Sequence, residues 1–277
     1  MDIDKLVVEA TNGSKTALEG ITVAIQDDVY HLALRFLVNP ENAKDATQDI
    51  LIKVITNMSS FRFESKFKTW VYRLAVNYLI SEKKVRDKDP GLTFDLYKID
   101  LESDLADAGE LKNDPEYQVL LNELRISCTM GMLLCLNLPH RMAYILGDIL
   151  EMRHEEASNI LQVSKQNFRK QLSRARAKVI EFTSESCGLI NKCSKCHCEK
   201  KITGAIERKR VRPDNIFYSG NGQYSYAEIK DLLLETRKSM KNLTLQKSIK
   251  AYNCPDELSN IIDSLVVEGI KVNQSLH

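Results

Sequence analysis

The sequence predicts an all-α protein: two small helical domains joined by an acidic linker, plus a mainly helical C-terminal extension. Three observations carry that expectation. Apolar residues recur at three- and four-residue steps, no run reads convincingly as a strand, and no internal repeat is present. The length suggests two or three compact units at roughly 100 to 200 residues each. With 43% hydrophobic residues and 39 Lys and Arg against 38 Asp and Glu, the composition excludes collagen-like, low-complexity and globally disordered chains. No apolar run approaches the roughly 20 residues of a membrane-spanning helix, and the acidic start Met1-Asp2-Ile3-Asp4 is unlike a signal peptide, so a cytoplasmic location is expected. Seven cysteines without secretory context point to reduced thiols or a metal site rather than a disulfide framework.

The elements follow in order. From Asn42 to Met58, Ala43, Ala46, Ile50, Val54 and Met58 form a helical stripe, with Asn39-Pro40-Glu41 as its cap and first turn. A loop, Ser59 to Lys68, interleaves three Phe with Arg and Lys. A second helix is predicted from Thr69 through Trp70, Leu74, Asn77 and Tyr78 towards Lys84, ending before Pro90-Gly91. Asp95 to Glu123 holds nine acidic and two basic residues and reads as the linker. Beyond it, Leu138-Pro139 opens a helix, and His154–Leu161 and Ser164–Phe182, separated by Gln162-Val163, read as a helix-turn-helix with Ser164 as N-cap. The expected divisions are therefore 1–92, 93–125, 126–184 and 185–277.

Two segments carry candidate chemistry. In the last of those helices Phe168, Leu172, Ala175 and Val179 define a buried stripe, which sends Arg169, Lys170, Ser173, Arg174 and Arg176 outward. A cationic helix with a hydroxyl among its charges suits a DNA major groove, where Arg bonds guanine in a bidentate fashion. Neutralising about four phosphates would make log affinity fall by roughly 3.6 per decade of salt. A basic surface helix of a bundle is the alternative. The loop Phe61–Lys68 suits single-stranded DNA, since each base stacked on an aromatic ring is worth about 1 to 3 kcal/mol, comparable with the cost of unstacking it. Phe61, Phe67 and Trp70 stay open between stacking and core packing.

The segments Leu138-Pro139, Glu155-Glu156, Ile160-Leu161, Val163-Ser164 and Leu172-Ser173-Arg174-Ala175-Arg176 resemble region 4 of bacterial RNA polymerase sigma factors of the extracytoplasmic-function group. Asp45-Ala46-Thr47-Gln48-Asp49-Ile50 resembles region 2.2 of that group, and Phe67 to Asn77 its regions 2.3 and 2.4. The resemblance covers residues 21–183. It implies a non-enzymatic factor that binds core RNA polymerase and promoter DNA and requires no cofactor. Asp45, Gln48, Asp49 and Lys53 would dock on the polymerase. Phe61, Arg62, Phe63, Ser65, Lys66, Phe67 and Lys68, with Trp70, Arg73, Asn77, Lys83 and Lys84, would take and melt the minus-ten element. Arg169, Lys170, Ser173 and Arg174 would read the minus-thirty-five element, with Arg176 near the backbone. The family often has Gly where this chain has Gln162, and a small or hydroxyl residue within Lys165–Asn167, so turn geometry departs from the pattern. The rival reading is a helix-turn-helix regulator that does not bind polymerase.

The extension opens with Cys187, Cys193, Cys196, His197 and Cys198, close enough in sequence for a tetrahedral zinc set of Cys193, Cys196 and Cys198 plus Cys187 or His197. Redox-active or simply unligated thiols are the alternatives. Cys128 and Cys135 read as core residues, and Cys254 as a helix start. Helices are also expected around 226–240 and 255–268. The extension is expected to regulate the factor, by folding back on it or by modifying promoter binding, with an anti-sigma partner as the alternative to such intramolecular regulation. His31, His140 and His154 occur singly and suggest no catalytic arrangement.

Overall fold

The computed structural model describes residues 3–86, 91–218 and 246–247. Its described residues fall into two compact units, one built from residues 3–86 and 153–168, the other from 91–152 and 169–218 together with 246–247. Among the described residues every regular element is helical; the sole β-type pairing is an isolated bridge between Cys187 and Cys196. None of these helices is long and apolar enough to cross a membrane.

In the first unit, helices α1 (Ile3–Thr11), α2 (Lys15–Leu37), α3 (Pro40–Thr56) and α4 (Phe67–Arg86) surround a core of Ile21, Ile25, Leu32, Phe36, Ile50, Leu51, Val54, Phe67, Val71 and Leu79. The caps are those that the side chains dictate. Ser14 Oγ accepts the amide of Ala17, and α2 stops where Val38 turns left-handed (φ 55°) and donates its amide to Leu34 O at 2.8 Å. Asn39 Oδ1 accepts the amide of Asn42 at 2.9 Å, and Pro40 opens α3 as read from the sequence. Arg35 is fully buried in α2; burial brings its guanidinium down to about 10, and it donates to His31 O at 2.9 Å. Helix α8 (His154–Ile160) and the first turn of α9 (Lys165–Ser186) complete this unit, with α8 packed on α4.

The second unit contains α5 (Phe94–Glu102), α6 (Tyr117–Leu134), α7 (Leu138–Tyr144), a π-turn at Ile145–Ile149, the remainder of α9, and α10 (Cys198–Glu207). Asn137 Oδ1 caps α7 through the amide of His140. Here the expected linker, 93–125, is corrected: it carries α5 and the start of α6, and it is packed. Ala108, Tyr117, Leu120, Leu121 and Leu124 share an apolar cluster with Ile202, Ala205 and Val211 of the extension. A second cluster joins Tyr97 and Leu101 to Met132, Phe182 and Cys196, with Tyr97 stacked on Phe182.

The acidic residues are not simply solvated, because the extension supplies cations. Arg208 and Arg210 pair with Asp100, Arg208 also reaches Asp104 at 2.6 Å, and Lys195 meets Glu102 at 2.9 Å. Lys201, only 3% exposed, donates to the carbonyls of Asp100 and Ser103 at the end of α5. Buried Glu123 accepts the amides of Phe217 (3.0 Å) and Tyr218 (2.6 Å), tying the strand of chain after α10 to α6. Thus 187–218 is not a detached tail but part of the core of this unit. The helices expected around 226–240 and 255–268, and Cys254, lie outside the described residues.

Candidate nucleic-acid interface

Three phenylalanines and a tryptophan converge at the start of α4. Phe61 lies 4.7 Å from Phe63, 5.4 Å from Phe67 and 5.6 Å from Trp70 between ring centroids. Their exposures separate their roles. Phe61 (7%) and Phe67 (0%) are buried, whereas Phe63 is 53% exposed and Trp70 half-buried. Of the two readings left open for Phe61 and Phe67, their burial favours packing of the loop against α4 through edge and tilted ring contacts. They hold Phe63 out instead. Phe63 adopts a left-handed backbone (φ 56°), uncommon for a bulky residue, and this turns its ring towards solvent beside exposed Arg62, Glu64 and Lys66.

Along α4, Lys68 is exposed and ion-paired with Asp28 at 2.7 Å, Arg73 is half-buried, and Asn77 is exposed; Ser65 is half-buried in the loop. The side chains of Lys83 and Lys84 lie outside the described residues. The neighbouring face of α4 is covered within the same unit, where Thr69 Oγ1 donates to Glu156 Oε1 of α8 at 3.0 Å. Tyr72, which the sequence did not single out, is held un-ionised by burial, reinforced by Asp28 and Glu156 and opposed by Arg35.

On α3, Asp45, Asp49 and Lys53 are exposed and Gln48 half-buried, giving the polar face that the stripe predicts. Tyr78 of α4 supports it: its hydroxyl donates to Asp49 Oδ2, and Lys53 Nζ lies 5.7 Å from its ring centroid.

In the helix-turn-helix, Ser164 Oγ accepts the amide of Asn167 at 3.1 Å, as an N-cap should, and the His154 and Phe168 rings lie 5.5 Å apart. Gln162 has φ 54°. This is the position where a glycine was expected, and the chain adopts the glycine conformation with a side chain that strains there. Phe168, Leu172, Ala175 and Val179 are all 3% exposed or less, so the predicted stripe is buried, while Arg169, Lys170, Ser173 and Arg174 are exposed. The cationic face is felt nearby: burial first, then the charges of Lys178 and Arg174, hold His140 below its usual value.

Arg176 departs from expectation. It was placed near the DNA backbone, but its guanidinium forks onto Asp148, with Nε 3.0 and 2.8 Å from the two carboxylate oxygens and Nη2 bonded to one of them. Asp148, 28 positions away, gave no signal in the sequence.

The cysteines expected as a zinc set lie around the isolated bridge between Cys187 and Cys196. Among the described residues no three His, Cys, Asp or Glu side chains come together as a metal site. Cys193 is exposed, Cys187 and Cys196 are buried, and Cys198 packs at the edge of a different apolar cluster from Cys196. Burial, then the Cys187 thiol, pushes Cys196 up to about 11. Burial likewise takes Cys198 to about 12, with Arg125 opposing. Both shifts favour the protonated thiol. Cys128 and Cys135 pack against the second cluster, in keeping with their reading as core residues.

Comparison with known proteins agrees with this geometry. Residues 23–89 match the family model Sigma-70 region 2. The chain is similar to the ECF RNA polymerase sigma factor SigW of Bacillus subtilis (strain 168), 34% identical over 95 residues, or 34% of this chain and 50% of that protein. The match therefore spans half the length of SigW. It is also similar to the ECF RNA polymerase sigma-E factor of Escherichia coli (strain K12), 28% identical over 180 residues, covering 62% of this chain and 90% of that one. A solved structure of CnrH in complex with the cytosolic domain of CnrY aligns with a TM-score of 0.48 at 18% identity, over 66% of this chain and 98% of that one. The region 2 match and these two relatives make the chain similar to RNA polymerase sigma factors of the extracytoplasmic-function group.

Proposed function

We propose that this chain binds core RNA polymerase and directs promoter-specific initiation without catalysing a reaction of its own. The observation that carries the reading is the conjunction, in one chain, of a region 2 helix set and a helix, α9, whose buried stripe leaves Arg169, Lys170, Ser173 and Arg174 facing out. On this reading α9 reads the minus-thirty-five element through the major groove, Arg serving guanine and Lys phosphate. The exposed Phe63, with Trp70 at the rim, takes an unpaired minus-ten base while Arg62, Lys66, Lys68, Arg73 and Asn77 hold the strand. Stacking of about 1 to 3 kcal/mol per base then offsets melting without nucleotide hydrolysis. Asp45, Gln48, Asp49 and Lys53 form the polymerase-docking face.

The test is reconstitution. The full chain is mixed with bacterial core polymerase and assayed for initiation from promoters selected out of a genomic fragment library. Initiation that depends on both proteins supports the reading. Duplex binding without association with core sinks it in favour of a helix-turn-helix regulator.

A further inference from the structure

We propose that Asp148 is a positioning residue for minus-thirty-five recognition: it fixes the rotation of α9 by clamping Arg176 and withholds that arginine from the DNA. The inference rests on the promoter-reading role of α9 proposed above.

At about 100° per residue, Phe168, Leu172, Ala175 and Val179 centre one side of α9, and Lys170, Ser173 and Arg174 centre the opposite one. Arg176 falls about 70° from the middle of the buried stripe, at the border between the two. A contact there resists rolling of the helix in a way that a contact at the centre of either face cannot. Asp148 supplies it from the π-turn that follows α7. It is 7% exposed, so its own position is fixed by packing, while the Arg176 side chain is 48% exposed. The guanidinium donates from two nitrogens to both carboxylate oxygens, a planar fork that sets direction as well as distance. That bond, more than the burial opposing it, holds the Arg176 charge in place. The π-turn matters too: a one-residue widening of the helix re-aims a side chain, and such turns concentrate at functional sites.

Two consequences follow for DNA. The clamp aims Arg169, Lys170, Ser173 and Arg174 together, so losing it blurs base discrimination. It also neutralises one cation of the helix, so losing it frees a phosphate-binding arginine. Specificity and bulk affinity should therefore move in opposite directions, which loss of structure alone would not produce.

The experiment uses the full chain in holoenzyme with core polymerase. Two duplexes serve as probes: a promoter selected by the wild-type holoenzyme and a random-sequence duplex of the same length, each titrated across salt. For Asp148→Asn we expect the promoter-to-random affinity ratio to fall at least tenfold. The random-duplex salt slope should steepen by about 0.9, one added phosphate contact. In Asp148→Asn/Arg176→Gln the slope should return to wild type while the ratio stays low. If Asp148→Asn does not fold, Arg176→Lys keeps the charge but not the fork and should show the same loss of ratio. An unchanged ratio and slope in the folded variants overturns the proposal. A wild-type holoenzyme that prefers no sequence at all overturns instead the promoter-reading role on which it rests.

Discussion

The packing of the extension against the acidic segment can be tested by one truncation of a side chain. Ile202 of α10 is 0% exposed and sits among Tyr117, Leu120, Leu121 and Leu124. Replacing it with Ala removes three buried carbons, about 2.4 kcal/mol at roughly 0.8 kcal/mol each. The cavity that α6 cannot fully collapse adds to this and brings the expected loss to about 3 to 4 kcal/mol. Urea unfolding of the full chain measures it, with pulsed alkylation of Cys128 reporting on the second unit. At a slope of about 2 kcal/mol per molar, the midpoint should drop by about 1.5 to 2 M. Ile180→Ala, at a position 44% exposed, is the control and should change stability by less than about 0.5 kcal/mol. If the two variants lose equally little, the extension is not part of the fold of that unit and the correction of the linker is mistaken.

Three further outcomes are expected. Gln162→Gly should raise the melting temperature slightly, because relief of about 1 to 2 kcal/mol of left-handed strain exceeds the roughly 0.5 to 1 kcal/mol of added chain entropy; a fall would mean that the Gln162 side chain makes a stabilising contact. Burial pushes Asp100 up, but the hydrogen bond from Arg210 and the charges of Arg210, Lys201 and Arg208 outweigh it and hold the carboxylate below its ordinary value. The stabilisation is thus full above that value and lost as pH falls through the folded one, so Asp100→Asn should be less stable at pH 7 and show a flatter acid limb in pH-dependent melts. Iodoacetamide at pH 8 should label exposed Cys193 before the other described thiols and leave Cys128, Cys196 and Cys198 unmodified until urea unfolds the chain, as peptide mass spectrometry would show; early labelling of Cys198 would contradict its burial.

Local chemistry made much of the fold legible. Asn39-Pro40 and Ser164 are capping signals that act within three residues, and the stripes on α3 and α9 are one-helix periodicities, so neither needs a tertiary partner to be read. Gln162 stands out only through the family resemblance, which often has Gly there, and the structure gives it a left-handed backbone (φ 54°). The aromatic loop was legible as a group but not by member: composition cannot tell that Phe61 and Phe67 face inward and Phe63 outward, since that depends on which rings α4 packs.

The sequence alone determined an all-helical chain, the surface of α9 that faces outward, and the polar face of α3, since each follows from backbone periodicity and side-chain volume within one element. Tertiary structure decided what the charges do. Nine acids in 29 residues look solvated until Lys195, Arg208 and Arg210, from about a hundred positions further on, pair with Asp100, Glu102 and Asp104, while Lys201 takes the carbonyls at the end of α5. Likewise Arg176 looks available to DNA until Asp148 captures it. An ion pair is a property of distance in space, and a charged residue read by itself carries no record of its partner.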